Sequence, residues 1–428
     1  MKTISMLRTV AAAAAIACAG QASALNIVLW DTDNSYGASP EALLAFQKAA
    51  NYWNKTISND VTVNIKIGFA DLGANVLAQA GSSSGEVAVK DVYSALRANT
   101  SKSALDNIAV NGLVALNAQG SVAMRVNGYV DAAQQIGVDT TIGSRRADGN
   151  DHINRYLDVN TSVQKALGLT PSNNARYDAN ITFSSSFGFD YNPTNGTAAG
   201  SYDFTAVAIH ELGHALGFVS GADTFDYFGR ANGPGADLLE SGVFGSQRLD
   251  DFAIGSVLDL FRYGASPAID GHLQLQWGAN KDAFFSIDGV TPFNFNNPDQ
   301  KIADFSTGAY NGDQNQASHW GDSKLYPDAG RPGCFLSGTD IGLMDPTGTP
   351  CADGRVTQND LAAFDAMGWN LNIDALQASK YSMDTASIYQ LDGLAVVAVP
   401  EPATWAQLLL GLGAVGGLLA RRRKSGTA

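Results

Sequence analysis

The chain is poor in charge. Only 16% of its 428 residues are Asp, Glu, Lys or Arg, against 45% hydrophobic. That balance excludes a globally disordered chain and allows a sizeable core in one large domain or two ordinary ones. Basic charge is scarcer still. The 27 Lys and Arg face 41 Asp and Glu, for a net charge of −14. Lys2, Arg8, Arg421, Arg422, Arg423 and Lys424 sit in the two end segments beside one acid, Glu401, so the stretch between is more acidic again. A surface of that sign argues against nucleic acid as a partner. It suits solubility, but no convincing calcium loop accompanies it. There is no internal repeat and no low-complexity tract. Histidine occurs five times and cysteine three times.

The two ends read as addresses. Lys2 and Arg8 precede an apolar run from Val10 to Ala19, and Ala22-Ser23-Ala24 offers a small-x-small cleavage site. This predicts a secretory signal over 1–24, with a mature chain starting at Leu25; the run is too short for a membrane anchor. At the other end Val399-Pro400-Glu401-Pro402 precedes a mostly apolar stretch from Ala403 to Ala420 and then the basic cluster 421–424. Such a stretch is long enough for a transmembrane helix. The order of motif, span and basic cluster over 399–428 resembles the PEP-CTERM sorting signals of Gram-negative bacteria. The resemblance implies an exosortase-type processing enzyme as partner and transient anchoring in the inner membrane; a plain single-pass anchor is the alternative. Either way the folded part lies outside the cytoplasm. Cys18 leaves with the signal, so Cys334 and Cys351 remain as a pair in an oxidising compartment and predict a disulfide, with two free buried thiols as the alternative. Closing that loop is worth about 3 kcal/mol in the chain-entropy view.

Between the ends the pattern alternates between strand and helix. Leu25 to Trp30 reads as a strand. Ser39-Pro40-Glu41 opens a helix running to about Trp53, with a capping serine and proline in the first turn. Val61 to Phe69 alternates as a strand, and Val89 to Ala98 reads as a helix. Ile181, Phe183, Phe187 and Phe189 are evenly spaced and predict one strand just before the motif described next. Residues 221–318 read as long, Gly-rich and irregular. Thr357 and Asp360 form a capping box for a helix through Leu361, Phe364 and Met367 that stops near Gly368.

The chemistry concentrates in His210-Glu211-Leu212-Gly213-His214. On a helix, positions four apart share a face, so His210 and His214 can ligate one zinc ion, Zn2+. Glu211 projects beside them, where it can act as general base on an activated water. Asp203 could cap this helix. Ile209, Leu212, Leu216 and Val219 form an apolar stripe that would anchor its other face. With so few histidines, this spacing arises by chance on the order of once per thousand chains of similar composition.

The extended string His-Glu-Leu-Gly-His-Ala-Leu-Gly-Phe, residues 210–218, resembles the metzincin zinc peptidases. In that family a third ligand follows three residues after the glycine at 217, but Ser220 stands there and is a poor zinc ligand. The leishmanolysin branch instead inserts a long segment before its third histidine. Ser318-His319-Trp320 and the downstream Leu343-Met344-Asp345-Pro346 match the third ligand and the Met-turn of that branch. The resemblance implies an α+β metzincin-like catalytic domain over 25–375 with a twisted mixed sheet, an active-site helix and an insertion at about 221–318, followed by a linker at 376–398. It implies His319 as third ligand and Met344 as the Met-turn residue. Asp223, Glu240 and His272 remain rival ligands, and Gly217 with Met344 favours His319.

The implied function is an exported zinc-dependent endopeptidase acting on protein or peptide substrates, which would lie extended along an edge strand at Ile181 to Phe189. No cysteine lies between Leu25 and Cys334, so latency through a propeptide thiol on the metal is excluded. A catalytically inactive surface or biofilm-matrix protein on the same fold, and a zinc amidase acting on cell-wall peptides, are the alternatives. His152 reads as a solvated side chain.

Overall fold

The computed structural model describes residues 24–29, 37–99, 103–141, 143–174, 176–230, 248–269, 271–293, 302–323, 325–332, 334–337, 341–377 and 381–391. The expected signal, the sorting tail and Glu240 lie outside these. Among the described residues no helix is long and apolar enough to cross a membrane.

The fold is a mixed α+β arrangement. Its central sheet has four strands in the order Asn26–Leu29, Thr62–Ala70, Ala179–Ser184, Ala78–Ser82. The first three run parallel and the last antiparallel. The alternation expected at 61–69 is real: Val63, Ile65 and Ile67 are buried. The helix expected from Ser39 spans Pro40–Thr56, and the Ser39 hydroxyl accepts from the Ala42 amide as a cap should. It buries Phe46, Ala49, Ala50 and Trp53. Two contacts dock it: the Ile27 amide donates to Asn54 at 3.0 Å, and the Trp53 indole donates to the Ile209 carbonyl at 3.2 Å. The helix Val89–Asn99 and the Thr357–Asp360 capping box, opening Gln358–Ala366, also match the sequence pattern. The chain leaves that last helix through Gly368, where φ is +100° and an added Cβ would sit 2.4 Å from Leu167, which leaves no place for a side chain.

Three expectations need correction. The even spacing from Ile181 to Phe189 is not one strand. The strand ends at Ser184, and a turn follows in which the Ser186 amide donates to the Ser184 hydroxyl and its own hydroxyl to Asp71. Local side-chain bonds of this kind compete with ladder pairing. Phe189 instead belongs to a two-residue strand paired with Tyr202–Asp203. Nor is Ala179–Ser184 an edge: it lies between two partners, and among the described residues Asn26–Leu29 and Ala78–Ser82 are the two edges of the sheet.

Second, the described residues within 221–318 are not all irregular. They hold a helix at Ala222–Phe228 and an antiparallel sheet in the order His272–Leu275, Arg262–Ile269, Ala283–Phe285, Asp304–Phe305. The last two strands are only three and two residues long, too short to show a period. The apolar run at 257–261 is mostly a 3-10 turn. The insert shares the main core, because Trp320 stacks on Phe305 with centroids 4.9 Å apart and meets Phe218 edge-on at the same distance.

Third, part of the expected linker is folded. Ser382–Asp384 pairs with Arg355–Thr357, and the following helix Thr385–Tyr389 buries Ile388.

Candidate metal centre

The motif helix spans Phe204–Ala215. Asp203 caps it, accepting from the Ala206 amide at 3.1 Å. Burial outweighs its hydrogen bonds and lifts its carboxyl to about 6. Ile209, Leu212 and Leu216 are fully buried. Val219 lies beyond the helix end and is half-buried, so the anchoring stripe is one residue shorter than expected.

Helix ends leave carbonyls without partners. Here side chains from distant segments supply them: Ser82 donates to His214, Ser162 to Ala215, and the Trp369 indole to Leu216. The chain then turns at Gly217, where φ is +109° and an added Cβ would sit 2.4 Å from Val163. That turn brings the Phe218 carbonyl back to the Nδ1 edge of the His214 ring.

The fold brings His210, His214 and His319 together. Their Nε2 atoms form a triangle with sides of 3.0, 3.1 and 3.2 Å. Each Nδ1 faces a backbone carbonyl: Leu343 at 2.8 Å, Phe218 at 2.7 Å and Gln316 at 3.1 Å, respectively. A carbonyl can only accept, so each Nδ1 carries the proton and each Nε2 presents a lone pair. Burial is the largest cause depressing all three imidazoles, and the neighbouring imidazoles push His214, to about 3, and His319 further down. Three neutral nitrogens therefore point their lone pairs at one another. A set of this kind could hold a metal ion.

Glu211 is 5% exposed, and its Oε2 has no hydrogen-bond partner. Burial pushes its carboxyl up to about 8.

The rival ligands fall elsewhere. Ser220, in the short-spacing slot, donates its hydroxyl to Asp259 at 2.6 Å. Asp223 accepts from the amides of Ala317 and Ser318 and from the Ser318 hydroxyl. His272 sits on the insert sheet beside the backbone of Gly289. His152 is less solvated than expected: it stacks on Tyr156 and contacts Glu86 at 3.0 Å.

Met344 is buried against the last turn of the motif helix. A Cβ at Gly213 would lie 2.4 Å from its sulfur, so glycine is what lets the two meet. The loop around Met344 is organised by Asp360, a residue whose local sequence pattern signals only a helix cap. Its carboxylate accepts from the amides of Leu343, Met344 and Thr357 and from the Trp320 indole. One buried group thus fixes both the carbonyl that orients His210 and the residue after His319. Cys334 and Cys351 form a disulfide that brackets Met344, and the Cys351 amide donates to Ser201 near the start of the motif helix.

Comparison with known proteins identifies the C-terminal tail alone. Residues 398–424 match the PEP-CTERM protein-sorting motif. No curated protein and no solved structure matches the chain. The tail marks an exported protein sorted to the cell surface and handled at its C-terminus by an exosortase-type enzyme.

Proposed function

We propose that the exported domain is a zinc-dependent endopeptidase of the metzincin type, closest in plan to the leishmanolysin branch. One observation carries the reading: three Nε2 lone pairs 3.0–3.2 Å apart, each ring fixed through Nδ1, beside the unpartnered Glu211 carboxyl. Tetrahedral zinc with Zn–N bonds of about 2.0–2.1 Å needs ligand nitrogens about 3.3 Å apart. The donor set fits such an ion in type, protonation and spacing. His210, His214 and His319 would hold it, and one coordination position would stay open.

Bound there, zinc would supply Lewis-acid polarisation of a scissile carbonyl and an acidified water. Glu211 takes the proton from the attacking water and returns it to the leaving amine. Next to a divalent cation its charged form is favoured, so a carboxyl held near 8 by burial alone becomes a competent base. The open side of Ala78–Ser82 offers backbone groups to an extended peptide. That strand is tied to the motif helix, the Ser82 hydroxyl donating to the His214 carbonyl, so a peptide paired there would run along the sheet edge packed on that helix.

Glu211→Gln tests the reading. The variant is expected to keep its metal and lose casein hydrolysis by about 10²-fold or more. Hydrolysis at the wild-type rate would remove Glu211 from the mechanism. Turnover of peptidoglycan fragments with casein untouched would reassign the substrate to cell-wall peptides.

A further inference from the structure

His319 follows His214 by 105 residues, so contacts in the protein must hold its loop in place before any ion arrives. We propose that Asp223 is the positioning residue that sets His319 in ligating register; this rests on the metal-site reading above. Its Oδ1 accepts from the Ala317 amide at 2.6 Å, and its Oδ2 from the amide and hydroxyl of Ser318. The two residues before His319 are therefore held by one carboxylate. The Ser318 hydroxyl in turn accepts from the Ser220 amide at 2.9 Å, tying the loop to the chain just past His214.

That anchor is itself held. Asp259 accepts from the Ser220 hydroxyl and from the Gly221 amide at 2.7 Å. On the far side the buried Arg262 guanidinium donates to the carbonyls of Ala317 and Ser306, and the Ser306 amide donates to the His319 carbonyl. Asp223 is the joint between these two groups. Both its oxygens are committed to the loop, which leaves it as a clamp on the third ligand. A change at 223 lets Ala317 and Ser318 drift, and the His319 ring leaves the triangle while His210 and His214 stay on their helix.

The test is the zinc dissociation constant of the purified full chain, by competition with a chromophoric chelator, beside the melting temperature of the zinc-stripped protein. In Asp223→Asn an amide N–H₂ replaces one acceptor oxygen, and the zinc Kd is expected to rise about 10- to 100-fold. Ser318→Ala should raise it several-fold, whereas Ser318→Thr, which keeps the hydroxyl, should stay near wild type. Cobalt substitution gives an independent signature, because loss of one imidazole changes the visible absorption of the ion. An unchanged Kd in Asp223→Asn, with the stripped protein melting lower, would overturn the clamp and leave the metal site standing. Should Asp223→Asn not fold, the serine pair decides: equal Kd values for Ser318→Ala and Ser318→Thr overturn the proposal. A wild-type chain that binds no zinc would remove the metal reading and this inference with it.

Discussion

The Nε2 atoms of His214 and His319 lie 3.1 Å apart across 105 residues of chain. Closing a loop of that length costs entropy that grows only as its logarithm, so the length is tolerable once its ends are held. The insert sheet, Arg262 and Trp320 hold one end, and the motif helix holds the other.

Gly342→Ala tests whether Asp360 organises the Met344 loop. A Cβ at 342 would lie 2.2 Å from one carboxylate oxygen of Asp360 and 2.6 Å from the other. That carboxylate is pinned by three amides and an indole, so it cannot swing aside cheaply. Overpacking of this kind costs about 1–3 kcal/mol. The expected result is a lower melting temperature and weaker metal retention, since the Leu343 carbonyl loses its place against His210. In an Asp360→Ala background the same substitution should cost measurably less, a coupling that a double-mutant cycle reads directly.

The site was partly legible in the sequence. The spacing of His210 and His214 needs only a helix, and local signals (Asp203 before it, Gly217 after it) bound that helix. Thr357 and Asp360 were equally readable as a cap. Asp360's other partners, Leu343, Met344 and Trp320, come from parts of the chain that no local pattern links to it. Asp223 stood out for its carboxylate, yet its partners lie 94 and 95 residues away. Sheet order was also hidden: a period of two tells which face of Ala179–Ser184 is buried but not whether both its edges are paired. The insert's short strands carried no periodic signal at all.

Removing the disulfide should loosen the segment after the Met344 loop. Cys334→Ser with Cys351→Ser is expected to cost about 2–4 kcal/mol of stability, read as a shift in the urea midpoint. Reducing agent should shift wild type by the same amount and leave the double variant unmoved.

Asp365 gives the chain a pH dependence of its own. Burial, with Asp106 nearby, raises its carboxyl from 3.8 to about 8. Its Oδ1 has no partner, and Ser103 donates to Oδ2 at 3.3 Å. Between those values the folded chain holds a proton that the unfolded chain has released, so stability falls as pH rises from about 4 to about 8. Asp365→Asn should flatten that slope and raise stability by about 1–3 kcal/mol at pH 8 while changing little near pH 4. Thermal melts of both proteins across this range check it; a parallel pair of curves would show that Asp365 is not the group responsible.

The proposed enzyme depends on a single ion held by three imidazoles. Metal analysis with X-ray absorption at the zinc edge, on the purified protein and on His319→Ala, measures it most directly. Expected are one zinc per chain with three imidazole nitrogens in wild type, and two imidazoles with much weaker retention in the variant. Zinc well below one per chain, or a ligand count unchanged by removing His319, would contradict it.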